Sequence, residues 1–73
     1  MDEYNYEVEI DGTNEVLSIY RFKPGSVAEE YDWETNEWKM SLDALDARYG
    51  YKFTFSRTGE QVKAIIAESQ ERR

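Results

Sequence analysis

The chain has 73 residues and a net charge of −7, with sixteen Asp and Glu against nine Lys and Arg. That is too short for a second core, so residues 1–73 are read as one domain. Cysteine and histidine are both absent, which excludes disulfides, thiolate metal sites, the commonest general base and the commonest transition-metal ligand.

Six Tyr, three Phe and two Trp compensate for the short length, because each aromatic ring buries a large area. No apolar run approaches the roughly 20 residues that span a bilayer, and the first residues do not resemble a signal peptide, so a cytoplasmic protein is expected. The charge is uneven. Residues 1–37 hold eleven acids against Arg21 and Lys23, whereas residues 38–73 hold five acids against seven bases. An N-terminal half so poor in Lys and Arg is not expected to bind nucleic acid or anionic lipid directly, but it suits a basic protein partner.

The first element is the plainest. Tyr4, Tyr6, Val8 and Ile10 alternate with Asn5, Glu7, Glu9 and Asp11, the pattern of a half-buried strand. Asp11-Gly12-Thr13-Asn14 reads as a hairpin turn. Glu15–Lys23 is apolar on both parities, with Val16, Tyr20 and Phe22 on one and Leu17 and Ile19 on the other. A strand with neighbours on both faces fits, so it is placed centrally and stopped by Pro24-Gly25.

Ser26-Val27-Ala28-Glu29 has the spacing of a capping box, yet Val27, Tyr31 and Trp33 alternate, and a strand is preferred there. Tyr31, Trp33, Trp38 and Met40 fall on one face if Glu34–Glu37 form an even-numbered loop. That register is favoured because cross-strand aromatic pairs stabilise a sheet by about 0.5 to 1 kcal/mol each. Asn36 suits the left-handed turn position.

Beyond Met40 the period changes. Ser41 is a candidate N-cap for a helix of about two turns, with Leu42, Leu45 and Tyr49 on its apolar face and Gly50 as its stop. Tyr51, Phe53 and Phe55 alternate again and predict a strand with those rings in the core. Thr58-Gly59-Glu60-Gln61 is a capping box opening a C-terminal helix whose inner face carries Val62, Ile65, Ile66 and Ser69. Arg72 and Arg73 stand at its end, as the helix dipole favours. The expected fold is therefore a small α+β domain, ββββαβα. It has an antiparallel sheet of four or five strands, a C-terminal helix packed on one face and a short helix before the last strand.

The functional signals are mostly exclusions. With neither His nor Cys, nucleophilic catalysis is left with a Lys-activated Ser or Thr, or a carboxylate pair, and neither has a signature here. No catalytic residue and no cofactor are assigned. Asp32, Glu34, Asn36 and Asp43 occupy positions 1, 3, 5 and 12 of a twelve-residue window, as in a calcium loop. Glu37 stands where that loop needs Gly, however, and Asp43 where it needs a bidentate Glu, so no metal site is assigned.

The acidic residues are more informative. Glu7, Glu9 and Asp11 repeat about every 6.5 to 7 Å along a strand, a spacing comparable with that of phosphates along nucleic acid. Glu29, Glu30, Asp32, Glu34 and Glu37 form a second group. The function class that fits is a non-enzymatic acidic partner-binding protein, of the kind a phage or mobile element uses as an inhibitor to cover a basic, nucleic-acid-binding surface. Tyr31 and Trp38 would be its apolar anchors, Trp38 being the one expected to stand exposed. The alternative is a structural or self-associating module, a homodimer whose acidic face is only solvated.

Overall fold

In a computed structural model, which describes residues 4–13 and 15–71, the chain forms a five-stranded antiparallel sheet and two helices. The elements run β1 (Asn5–Ile10), β2 (Val16–Phe22), β3 (Glu29–Asp32), β4 (Glu37–Met40), α1 (Leu42–Arg48), β5 (Phe55–Arg57) and α2 (Gly59–Glu71). This is the expected ββββαβα α+β order. The sheet order is β4-β3-β2-β1-β5, so the strand apolar on both parities is central, and β5 returns to the free edge of β1.

The two helices lie on opposite faces of the sheet. One core packs Tyr6, Val8, Ile19 and Tyr31 against Val62 of α2, with Ile65 and Ile66 at its margin. The other packs Tyr20 with Ala28 and with Ala44 and Ala47 of α1. Thr58 and Gln61 close the capping box of α2 reciprocally, at 2.9 and 3.1 Å. Gln70, near its other end, donates to Asn36 in the β3–β4 turn at 3.3 Å. Since Thr58, Gly59 and Lys63 border Tyr4 and Tyr6, α2 crosses the sheet obliquely from β1 to that turn. Arg72, Arg73 and the Asn14 turn position lie outside the described residues.

Five local expectations are corrected. Val16 does not share a face with Tyr20 and Phe22, because the β1–β2 register shifts between Glu9 and Ile10. Ser18 opposes Glu9 and Val16 opposes Ile10, so Leu17 is a bulge that reverses the parity. The β3–β4 turn is Trp33–Asn36, one residue earlier than expected, with Tyr31 opposite Trp38 and Asp32 opposite Glu37. The loop is still even, and Asn36 does take positive φ, at 60°. Before β3, residues 26–28 are irregular, neither helix nor strand.

In α1, Ser41 is the N-cap, accepting from the Asp43 and Ala44 amides. Yet the buried residues are Ala44 and Ala47, whereas Leu42, Leu45 and Tyr49 are exposed. Only small side chains let the helix axis approach the large ring of Tyr20, so the alanine face wins over the leucine face. Finally, β5 pairs with β1 through three residues only. Tyr51 and Phe53 are 81% and 83% exposed and Phe55 is exposed as well, so none of the three rings enters the core, at a corner that the oblique α2 leaves uncovered.

Candidate functional site

Residues directly opposite each other on neighbouring strands share a face. The pairs Glu7↔Tyr20, Tyr20↔Glu30 and Glu30↔Lys39 therefore trace one row across the sheet. Glu9↔Ser18 and Asp32↔Glu37 lie on the same face one step further along. This is the face on which α1 packs. Glu7, Glu9, Glu30, Asp32 and Glu37 are thus brought onto one surface although up to thirty positions separate them in the chain.

The packing of α1 extends that surface. Lys52 Nζ stands 3.8 Å from Glu9 Oε1 and 3.7 Å from Asp43 Oδ1, so Asp43 of α1 borders the strand carboxylates. Lys39 Nζ lies 3.0 Å from Asp32 Oδ2. Six carboxylates thus stand among two ammonium groups, a surplus of four negative charges on one side of the sheet.

Hydrogen bonds hold several of these carboxylates in place. Tyr20 Oη donates to Glu9 Oε1 at 2.7 Å, Ser41 Oγ donates to Glu30 Oε1 at 2.9 Å, and Thr54 Oγ1 donates to Glu7. Burial, then the bond to Glu9, pushes the Tyr20 phenol well above its usual value, so it stays a donor at any ordinary pH. Lys39 beside Asp32, and then the Glu34 amide, hold the Asp32 carboxyl below its usual 3.8. A general acid requires the opposite shift.

The remaining expected site residues lie elsewhere. Asp11 is a turn residue, accepting from Thr13 N, Thr13 Oγ1 and Glu15 N at 2.8, 2.7 and 3.0 Å. Glu34 is exposed in the β3–β4 turn. Glu29 opposes Arg21 and so points to the α2 side, where Arg21 Nε meets its Oε1 at 2.8 Å.

The aromatic anchors are a correction. Tyr31 is 6% exposed and belongs to the core. Trp38 is only half-buried, but Tyr31, at a centroid distance of 5.2 Å, and the Arg21 guanidinium, 4.3 Å from its ring, pack against it. The even hairpin register that pairs these two rings turns both of them inward.

Exposed apolar groups gather beside α1. Met40 is 75% exposed, Leu42 81% and Val27 55%. Together with Ala28, Leu45, Ser26, Ser41 and Arg48 they line a groove of about 410 Å³ between α1 and the segment leading into β3. Periodicity could locate the Leu42/Leu45/Tyr49 stripe but not its outward orientation. The calcium-like window is split, Asp32 closing the end of β3 and Asp43 standing on α1, and among the described residues no three carboxylates are grouped to hold a metal ion. No described helix is long and apolar enough to cross a membrane. No protein-family model matches the chain, and no curated protein and no solved structure matches it.

Proposed function

We propose that this is a non-enzymatic protein that binds a partner through the acidic side of its sheet, the partner presenting a basic surface such as one that otherwise holds nucleic acid. An inhibitor encoded by a phage or mobile element is the concrete form of this reading. The observation that carries it is the convergence of Glu7, Glu9, Glu30, Asp32 and Glu37 on one face, joined by Asp43 across Lys52. A rigid array of like charges steers association with a basic surface and penalises acidic competitors.

The test is capture of basic, nucleic-acid-binding proteins, with affinity falling steeply as salt rises. Reversing Glu37 and Asp43 to Lys weakens capture, whereas reversing Glu60 and Glu71, on α2 across the sheet, leaves it nearly intact. Equal effects from the two pairs would mean that net charge alone matters and would remove the assigned face.

A second reading, self-association, is favoured by the exposed rings of Tyr51 and Phe53 next to the edge strand β5. It predicts a concentration-dependent size in light scattering that Phe53→Ser abolishes. A monomer at every concentration removes it.

A further inference from the structure

The groove beside α1 adds a second chemistry to the acidic surface. In an α-helix each residue turns about 100°, which puts Leu42, Leu45 and Tyr49 in one stripe and Asp46 along its flank. Ala44 and Ala47, on the opposite side, are buried. The stripe is therefore presented, with Val27 and Met40 completing an apolar floor and wall.

The charges around the groove differ in availability. Arg48, its one lining cation, donates to the Ser26 carbonyl at 2.7 Å and lies 6.0 Å from the Phe22 ring, so its charge is directed inward. Glu30 is reached through Ser41, which lines the groove. Asp46, on the flank of the stripe, is exposed. An occupant thus meets apolar contact along the groove and negative charge at its margin.

We infer that the groove receives an amphipathic helix of the partner protein, with apolar residues at helical spacing and Lys or Arg beside them. Apolar anchors at i, i+3 or i+4, and i+7 match a groove that runs along a two-turn helix. Charge complementarity selects a cationic helix over a second copy, because self-association would bring together two chains of net charge −7 with Asp46 beside the contact. This inference rests on the partner-binding reading above and specifies the shape of the partner's contact.

The test uses three short synthetic peptides: one with Leu at helical spacing and Lys elsewhere, one with Glu replacing every Lys, and one with Ser replacing every Leu. Binding is followed by fluorescence anisotropy and mapped by amide chemical shifts on the full chain. The Leu/Lys peptide is expected to bind, with shifts centred on Val27, Met40, Leu42 and Leu45. The double variant Leu42→Ser, Leu45→Ser loses about ten-fold in affinity, as expected for central apolar contacts. Leu42 is exposed, so the variant is expected to fold, and Met40→Ser on β4 provides an independent check.

Equal binding of the Ser/Lys peptide, with shifts on Glu7 and Glu37 only, overturns the groove while leaving the acidic-face reading standing. Equal binding of the Leu/Glu peptide overturns the charge argument. Concentration-dependent shifts of the groove residues without any peptide assign it to a second copy and overturn the inference. If neither Lys-containing peptide binds, both readings fail.

Discussion

The two sides of the sheet are built from different materials. On the α2 side, Val8 and Ile19 are fully buried against Val62, and Tyr6 and Tyr31 close around them. On the α1 side one fully buried ring, Tyr20, is covered by three alanines with Phe22 partly buried beside them, and carboxylates lie around this cluster. Burial of Val, Ile and Tyr side chains stabilises by about 1.5 to 3 kcal/mol each, whereas alanine methyls contribute much less. Most of the folding free energy therefore comes from the α2 side. The α1 side, relieved of that role, can present Leu42 and Leu45 outward and collect like charges.

The largest expected effect separates the sides directly. Ile19→Ala should destabilise the protein by about 2 to 5 kcal/mol, enough to unfold much of a domain this small. Leu42→Ala should stay within about 0.5 kcal/mol of the parent, as surface substitutions do. Urea titrations of the two variants compare them, and a large loss from Leu42→Ala would show that α1 packs by its leucine face after all.

Next in size is the fit of α1 on Tyr20. Ala44→Leu should cost about 1 to 3 kcal/mol by overpacking, although leucine carries more apolar surface to bury. A neutral or stabilising result in thermal melts would contradict the close approach of the helix to the ring.

Tyr20 itself provides a smaller, pH-dependent effect. Its phenol is held above its ordinary value of 10.0 in the folded state. Its contribution is therefore fully present below pH 10 and is lost as pH rises towards the folded value, because the unfolded chain ionises first. Tyr20→Phe should lower stability by about 1 kcal/mol at neutral pH through the lost bond to Glu9, and should flatten the alkaline decline. Denaturant midpoints from neutral pH to above pH 10 measure both.

The smallest effect lies at the acidic end. Thr13, by side chain and amide, lowers the Asp11 carboxyl below 3.8, and Lys39 does the same for Asp32. Stability from these groups is present above about pH 4 and disappears as pH falls through their folded values. Both carboxylates are solvent-screened turn groups, so Asp11→Asn should alter only the foot of an acid-unfolding curve followed by circular dichroism. A parallel shift of the whole curve would mean that Asp11 does more than hold its turn.

Much of the fold was legible because it depends on neighbours in sequence. Alternation marked Tyr6 and Val8 as inward, Ser41 and Thr58 announced the helix starts, and the 3.6-residue period put Val62, Ile65 and Ile66 on the packed face of α2. The reading failed where a partner element chose between two equally regular options. The α1 helix has an alanine face and a leucine face, and the ring of Tyr20 decided between them. Residues 51–55 alternate as a strand should, but the path of α2 left the Tyr51 and Phe53 rings uncovered. The site divides in the same way. Glu7 and Glu9 could be placed on one face from their spacing alone. Their meeting with Glu30, Asp32 and Glu37 depended on strand order, and the removal of Glu29 to the other face depended on its register with Arg21.

By itself, the sequence determined the element order, the caps, an even hairpin and an unusual excess of acid, because propensity, periodicity and charge are properties of short stretches. Tertiary structure alone decided which face each acid shares, that Tyr31 and Trp38 turn inward, and that leucines stand where a core was expected. Those outcomes follow from competition between distant surfaces for the same contact. Close packing admits one winner, and its identity depends on side chains that are far apart in the chain.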